Sequence, residues 1–277
     1  MQKSFTTAIA ILFLVSSGLA CSPLRPKTPF TWHLILELDQ AVPDRAMAVS
    51  RTISVIERRL DAADIDVSKV TPEGAPENGR IRVSLPDVAD RKRLTDLITS
   101  EGRLELVAVV SPPNPNAVQT FSNQQEALAS LGGNAPDNRR VLPYNERDEA
   151  TVAGNGTVSG QSTRWVVVEN PAVVDGSELQ NAQARPTGIN DGYHIGFSLR
   201  PGGAQKFGAW TGANINNYLG VVLNGKVKSI AFIQSQIYDQ GEISGRFTKQ
   251  AAEDLALILR TGALPAPVKI VETGNSK

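Results

Sequence analysis

Cysteine and histidine are almost missing from this chain: among 277 residues there are one cysteine, Cys21, and two histidines, His33 and His194. A lone cysteine excludes an internal disulfide. The two histidines fall on separate predicted strands with no cysteine or further histidine beside them, which argues against a metal site. Each is expected as a surface-facing or hydrogen-bonded strand residue. Net charge is missing too, since Lys plus Arg and Asp plus Glu stand at 28 each. That balance supplies no electrostatic reason for a nucleic-acid partner or an anionic membrane surface. No G-x-S-x-G elbow, H-E-x-x-H helix or glycine-rich phosphate turn before a helix occurs. The expectation is therefore no catalytic residue, no metal and no cofactor. Nor is there a run of ~20 mostly apolar residues, the length a membrane span needs. What remains is globular in composition, 41% hydrophobic and 20% charged, and long enough for one large domain or two small ones.

The first residues stand apart. Lys3 is the only charge before the apolar run Ala8 to Val15, which leads into "SSGLAC". A basic start, a short apolar run and a small-residue exit are the layout of an export signal, expected here over residues 1–20. Cys21 then sits where that signal ends. Its position fits bacterial lipidation after cleavage, with the acylated thiol tethering the domain to a membrane. The alternative is an ordinary signal with a chance cysteine, because Gly18 stands where a lipidation motif usually carries Leu. Residues 21–30, rich in proline, read as a tether.

Beyond the tether the pattern becomes regular. "HLILEL" (33–38) alternates as a half-buried strand does. Val49, Ile53, Ile56, Leu60 and Ala63 form one helical stripe starting near Pro43-Asp44. Strands follow at 66–70 and 79–86, then a helix marked by Leu94, Leu97 and Ile98 beginning near Asp87 to Asp90, then a strand at 103–110. The order βαββαβ predicts a ferredoxin-like unit over residues 31–110. Residues 111–163 shift to Pro, Asn, Gly, Ser and Gln and read as a loop-rich connection with one short helix at "NQQEALASLGG" ended by Gly132. A second α+β region is expected over 164–272. It comprises a strand at 164–169, a helix over "DGSELQNAQAR" capped by Asp175, and a strand at 193–199. A helix opened by Pro201 follows, and a last helix runs from Thr248 to Gly262. Trp210, Tyr218 and Phe232 are expected as core anchors, one of which could line a groove.

One match misleads. Gly220, Gly225 and Lys226 have the G-x-x-x-x-G-K spacing of a nucleotide-binding phosphate loop. The spacer Val-Val-Leu-Asn is strand material, however, and Val227 stands where Ser or Thr would ligate magnesium. Asn224-Gly225 between two apolar runs is a hairpin turn, and no nucleotide is expected.

The C-terminal stretch "GEISGRFTKQAAEDLALILRTGALPAPVKIVE", together with "FSLRPGGAQKFGAWTGANINNYLGVVLNGKVKSIAFIQ", resembles the P1 domain of the SecD family. The likeness is carried by Phe197, Gly203, Phe207, Gly225, Lys226, Ile243, Gly245, Phe247, Leu259, Arg260, Gly262, Leu264, Pro265 and Pro267. "VIERRLDAADID" and "GRIRVSLPDVAD" are similar to that family's first half. The resemblance implies a ferredoxin-like base and an α+β head. It further implies an exported, non-enzymatic module on the periplasmic side of a bacterial envelope. Its partners would be unfolded or exported polypeptides, or Sec and other envelope membrane proteins. "ALPAP" would force an extended exit from the last helix back toward the base, because residues before proline avoid the helical region. The family's membrane spans, with the ionisable residues that couple export to a proton gradient, have no counterpart here. The chain also departs at "ELDQA", at Asn216-Asn217 and at Asn224, where the family carries a glycine-rich segment, Gly-Arg and Asp.

Overall fold

A computed structural model describes residues 30–66, 68–113, 115–144, 163–188 and 192–275. The expected signal, the tether up to residue 29 and Cys21 lie outside the described residues. None of the described helices is long and apolar enough to cross a membrane.

The base opens with strand β1 (Trp32–Leu38), helix α1 (Arg45–Ala62), strands β2 (Lys69–Pro72) and β3 (Arg80–Leu85), and helix α2 (Arg91–Thr99). Both helices start on an aspartate whose side chain accepts a hydrogen bond from a free N–H of the first turn. Asp44 takes it from Met47 N at 3.1 Å and Asp90 from Arg93 N at 2.8 Å. Alternation along β1 sends Trp32, Leu34, Leu36 and Leu38 into a core shared with Ile56 and Leu60 of α1 and Leu94, Leu97 and Ile98 of α2. β3 lies between β1 and β2, antiparallel to both.

The fourth strand of this sheet corrects the sequence-based expectation. The segment near 103–110 forms β4 (Leu104–Val109), but it leaves the base and enters a different sheet. Its place beside β1 is taken by β13 (Val268–Asn275), the last strand of the chain, giving the order β13-β1-β3-β2. The reason is the side-chain pattern. β4 carries Leu104, Leu106, Val107, Ala108 and Val109, all buried, and a strand apolar on both faces belongs between two cores. β13 is mostly exposed and polar, which suits an edge.

The head runs from β4 through helix α3 (Gln124–Ala129), strands β5 (Arg139–Tyr144), β6 (Arg164–Glu169), β7 (Val174–Asp175), β8 (Leu179–Pro186) and β9 (Tyr193–Leu199), and helix α4 (Pro201–Ala213). Strands β10 (Tyr218–Leu223), β11 (Lys226–Phe232) and β12 (Gln240–Phe247) and helix α5 (Lys249–Thr261) complete it. β10 pairs with both β4 and β11, and β5 pairs with β6. Single pairs at Val227–Tyr144 and Val109–Val168 close these five strands into a ring. Val107, Val109, Val166, Val168, Val222 and Val227 fill it. The opposite faces of β4 and β10, through Leu104, Leu106, Leu219, Val221 and Leu223, join a second core against the β12-β9-β8 sheet and α5.

β10 is therefore buried along its whole length, and the phosphate-loop spacing resolves into the β10–β11 hairpin. Leu223 faces Lys226, and Asn224 and Gly225 turn the chain at φ 50° and 73°. Replacing Gly225 with alanine should cost about 1–2 kcal/mol in denaturant unfolding, since it forces a side chain into the left-handed region where open space but no compensating contact awaits it.

Two further expectations are corrected. Residues 176–186 are one 3₁₀ turn and then strand β8, not a helix, although Asp175 does cap the turn by accepting from Ser177 N at 2.8 Å. A β-bulge between Leu179 and Asn181 lets Leu179 and Ala182 face the same core, so the strand mimics a helical three-residue spacing. Strand β5 lies inside the segment expected as loop. "RRVLPY" shows no clear alternation, and all six residues are half-buried in the structure. The short helix expected nearby is α3.

Candidate functional site: the joint and the open edge of the head

α5 is the element on which base and head meet. Thr248 caps its start, accepting from Ala251 N at 3.2 Å, and Gly262 ends it at φ 96°. One face, Ala252, Leu255, Ala256 and Leu259, is buried in the head core; another, Leu257 and Ile258, is buried in the base core. Its C-terminal carbonyls are met by two arginines from α1. Arg58 Nε donates to Thr261 O at 3.1 Å, and Arg59 Nη2 donates to Gly262 O at 3.0 Å.

Arg59 is the more unusual of the pair. It has 0% exposure, and its Nη1 also donates to the carbonyls of Ser100, Leu97 and Ile98 at 2.6, 3.0 and 3.3 Å. A guanidinium thus satisfies the end of α2 and the end of α5 together, replacing the water those carbonyls would otherwise need. Burial lowers its pKa to about 10, with repulsion from Arg58 adding to the effect. It stays cationic at neutral pH, stabilised by oxygen dipoles instead of a carboxylate. The two crossing segments also bind each other, Leu264 N donating to Glu101 O at 2.8 Å. On the surface, Arg93 of α2 grips Asp254 of α5 through Nε and Nη2 at distances from 2.6 to 3.1 Å. Hydrogen bonding to that carboxylate holds the Arg93 guanidinium above its ordinary value.

Several sequence-selected residues converge here. Leu259 and Leu264 are buried, Gly262 supplies a carbonyl to Arg59, and Arg260 Nη1 donates to Ala182 O of β8 at 3.0 Å. Pro265 and Pro267 lie in the link to β13, which bends at Pro265 and Ala266, and Pro267 O accepts from Asp39 N. The Gly225-Lys226 hairpin reaches the same place, because Asn224 bonds Arg103 through both its side chain and its N–H at 2.9 Å. Phe247 sits apart, at the end of β12. Arg58, Arg59 and Gly102 were not singled out from the sequence. The available signal was a charge on the apolar stripe of α1, three residues after Ile56.

The head's small sheet has unequal edges. Along β8, α5 packs alongside, and Arg200 and Arg260 take the carbonyls of Leu179 and Ala182. β12 pairs only with β9, and among the described residues its outer edge carries no strand. Aromatic rings lie against two of its glycines. A Cβ at Gly241 would fall 2.4 Å from the Phe197 ring and one at Gly245 2.4 Å from the Phe247 ring. Just before β12, Tyr238 is 67% exposed. Its loop is pinned to α4, where Thr211 Oγ1 accepts from Ile237 N at 2.9 Å. Ile215, exposed beyond the end of α4, adds apolar surface to the head. Such an edge can add an extended polypeptide through main-chain hydrogen bonds that do not depend on its sequence.

The aromatic residues considered as groove candidates are packed instead. Tyr218 is buried and donates to Asn116 O at 2.5 Å, with the Phe232 ring 6.0 Å away; Trp210 is half-buried against the head core. His33 and His194 lie on β1 and β9, 3.3 and 3.4 Å from Glu272 and Glu242 of the neighbouring edge strands.

Comparison with known proteins agrees with this architecture. The family described as SecDF, P1 head subdomain matches residues 150–266, and Protein translocase subunit SecDF, P1 domain, N-terminal, matches residues 49–111. The SecD translocase subunit of Elusimicrobium minutum is 35% identical over 248 residues, covering 86% of this chain and 50% of its own length. The SecD subunit of Aquifex aeolicus is 34% identical, covering 81% and 38%. The chain thus spans half or less of the length of these curated relatives. A solved structure described as a membrane component SecDF that enhances protein export superposes with a TM-score of 0.61 at 25% identity, covering 87% of this chain and 98% of that one. A SecDF structure in a super-membrane-facing form gives a TM-score of 0.64 over 91% of this chain. With both halves of the P1 region matched, a ferredoxin-like base carrying an α+β head, the chain belongs to the SecD family.

Proposed function

We propose that this chain is a non-enzymatic binding module of protein export, which holds unfolded or exported polypeptides on the periplasmic side of the envelope. The observation that carries this reading is the open edge of β12, paired on its other side with β9 from Gln240 to Ile243 and again at Phe247, and entered past an exposed Tyr238. Its relatives are translocase subunits, and a strand edge suits a client whose sequence varies. Lipidation at Cys21 would tether the module to a membrane. About ten residues separate Cys21 from β1, so at ~3.3 Å each the base would ride within ~33 Å of the lipid face.

The test is photocrosslinking in cells with probes at Ser244, on the exposed edge, and at Tyr238. Phe232 and Trp210 are half-buried in cores and serve as controls. A heterogeneous set of secretory proteins caught at Ser244 and Tyr238, but not at the controls, is the expected result. One discrete Sec or envelope protein would instead mean a docking lipoprotein, and the chain-holding role would be abandoned.

A further inference from the structure

The base sheet has its own open edge, β13, and its chemistry differs from that of β12. Along β13 the pairing with β1 slips by one residue: Leu36 faces Ile270 but Ile35 faces Glu272, leaving Val271 as an extra, bulged residue. The slip has a consequence for which side chains share a face. Glu37 and Ile35 are two apart on β1 and so lie on the same, helix-free face. Their partners Lys269 and Glu272 therefore share that face as well, although they are three residues apart.

Two rows of side chains cross this face and end at the edge. One runs Arg80, Glu37, Lys269 and the other Arg82, Ile35, Glu272. The edge thus presents a positive charge on one row and a negative charge on the next. Between them lie Ile270 and Val271, 43% and 45% exposed. Among the described residues Lys269 makes no ion pair and no strand pairs with the outer side of β13.

We propose that this edge docks a second copy of the same chain, antiparallel, about a two-fold axis passing between Ile270 and Val271. Such an axis sets Lys269 of each copy against Glu272 of the other and continues the alternation of charge across both rows. Ile270 and Val271 then meet at the axis, where their exposed surface is covered. The bulge is what makes this register self-consistent: in a regular strand the two charged residues would point to opposite faces, and the pair could not form. An unrelated strand would match the edge only by carrying the same reversed order of charges.

A single edge pairing is smaller than the ~1,200–2,000 Å² of a stable interface, so the association should be weak, with a Kd of roughly 10–500 µM. The test is sedimentation equilibrium of the full chain under reducing conditions, so that Cys21 cannot link copies. Concentrations should bracket that range. A reversible monomer–dimer equilibrium is expected. Lys269→Glu, which opposes two carboxylates, should weaken it about tenfold or more, and the swapped pair Lys269→Glu with Glu272→Lys should restore it. Both changes sit on an exposed edge, and an unchanged melting temperature would confirm that they leave the fold intact. A chain monomeric throughout, or a dimer indifferent to Lys269→Glu, would overturn the proposal. So would capture of extended peptides at β13 without self-association. None of these results bears on client capture at β12, which lies on a different sheet.

Discussion

Replacing Arg59 with methionine should lower unfolding stability by about 3–5 kcal/mol, the largest loss expected from any single side chain outside the apolar cores. Methionine matches the length of the arginine stem but supplies no donor. The carbonyls of Leu97 and Ile98 would then be stranded in the buried joint, and those of Ser100 and Gly262 would lose their donor in a half-buried one. Arg59→Lys should recover only part of the loss. An ammonium is a compact charge on one stem, whereas the guanidinium fork spans the ends of two helices at once. The lowered pKa has a definite sign for stability. With the folded value lowered to about 10 and the unfolded value at the higher, ordinary level of a guanidinium, the unfolded chain binds the extra proton between those limits. The cost of burying the charge is thus present in full at neutral pH and is relieved only as pH rises through about 10. Urea unfolding at neutral pH measures the loss. A change below ~1 kcal/mol would mean that water replaces the side chain and that the joint is not sealed.

Gly102→Ala should cost about 2–4 kcal/mol through the same joint. Gly102 sits at φ +68°, and a Cβ there would lie 2.5 Å from Ile258 Cγ2 and 3.0 Å from Arg59 Nη2. Two penalties combine, the left-handed backbone for an L side chain and the displacement of a buried isoleucine. The neighbouring charge could move only by giving up a carbonyl. Because the methyl would press on Arg59, the double variant Gly102→Ala with Arg59→Met should lose less than the sum of the two single losses, which a thermodynamic cycle reads directly. Strict additivity would show that the two residues act on separate parts of the fold. Both single variants should also loosen the head on the base, seen as increased proteolysis within 100–104 and 262–267.

Much of the local structure was legible in the sequence. The stripe of α1, its Asp44 cap, Asp90 before α2, Thr248 and Gly262 around α5, and the Asn224-Gly225 hairpin all rest on interactions between residues close in sequence. The sequence misled where a local pattern had two solutions. Leu179 and Ala182 can face one core either as successive positions of a helix or across a bulge in a strand, and only the pairing with β9 decides between them. "RLELVAVV" reads as a strand in either sheet. Its neighbours, Tyr218 to Leu223, are more than a hundred residues away, and periodicity carries no information about partners.

The candidate sites divide in the same way. The family motif around "LRTGALPAP" marked the joint from the C-terminal side; the chain returns to the base as its prolines implied, though through bends at Pro265 and Ala266 instead of a fully extended exit. Arg59 was visible as a charge on an apolar stripe, but its acceptors come from residues 97–101 and 262, brought together only by folding. The open edges were not legible at all. An edge is defined by the strand that does not arrive, which no pattern of neighbouring residues records.

The sequence by itself thus determined the types of the base elements and of most of the helices, their caps and turns, the absence of a phosphate loop and the likeness to SecD. Each of these depends on side chains within a few residues of one another or on matching residue patterns. The tertiary structure decided which strand closes the base, which helix serves two cores and which edges stay unpaired. Those outcomes depend on burying every apolar face at once, and β4, apolar on both sides, could be satisfied only between two cores, leaving the polar β13 for the edge.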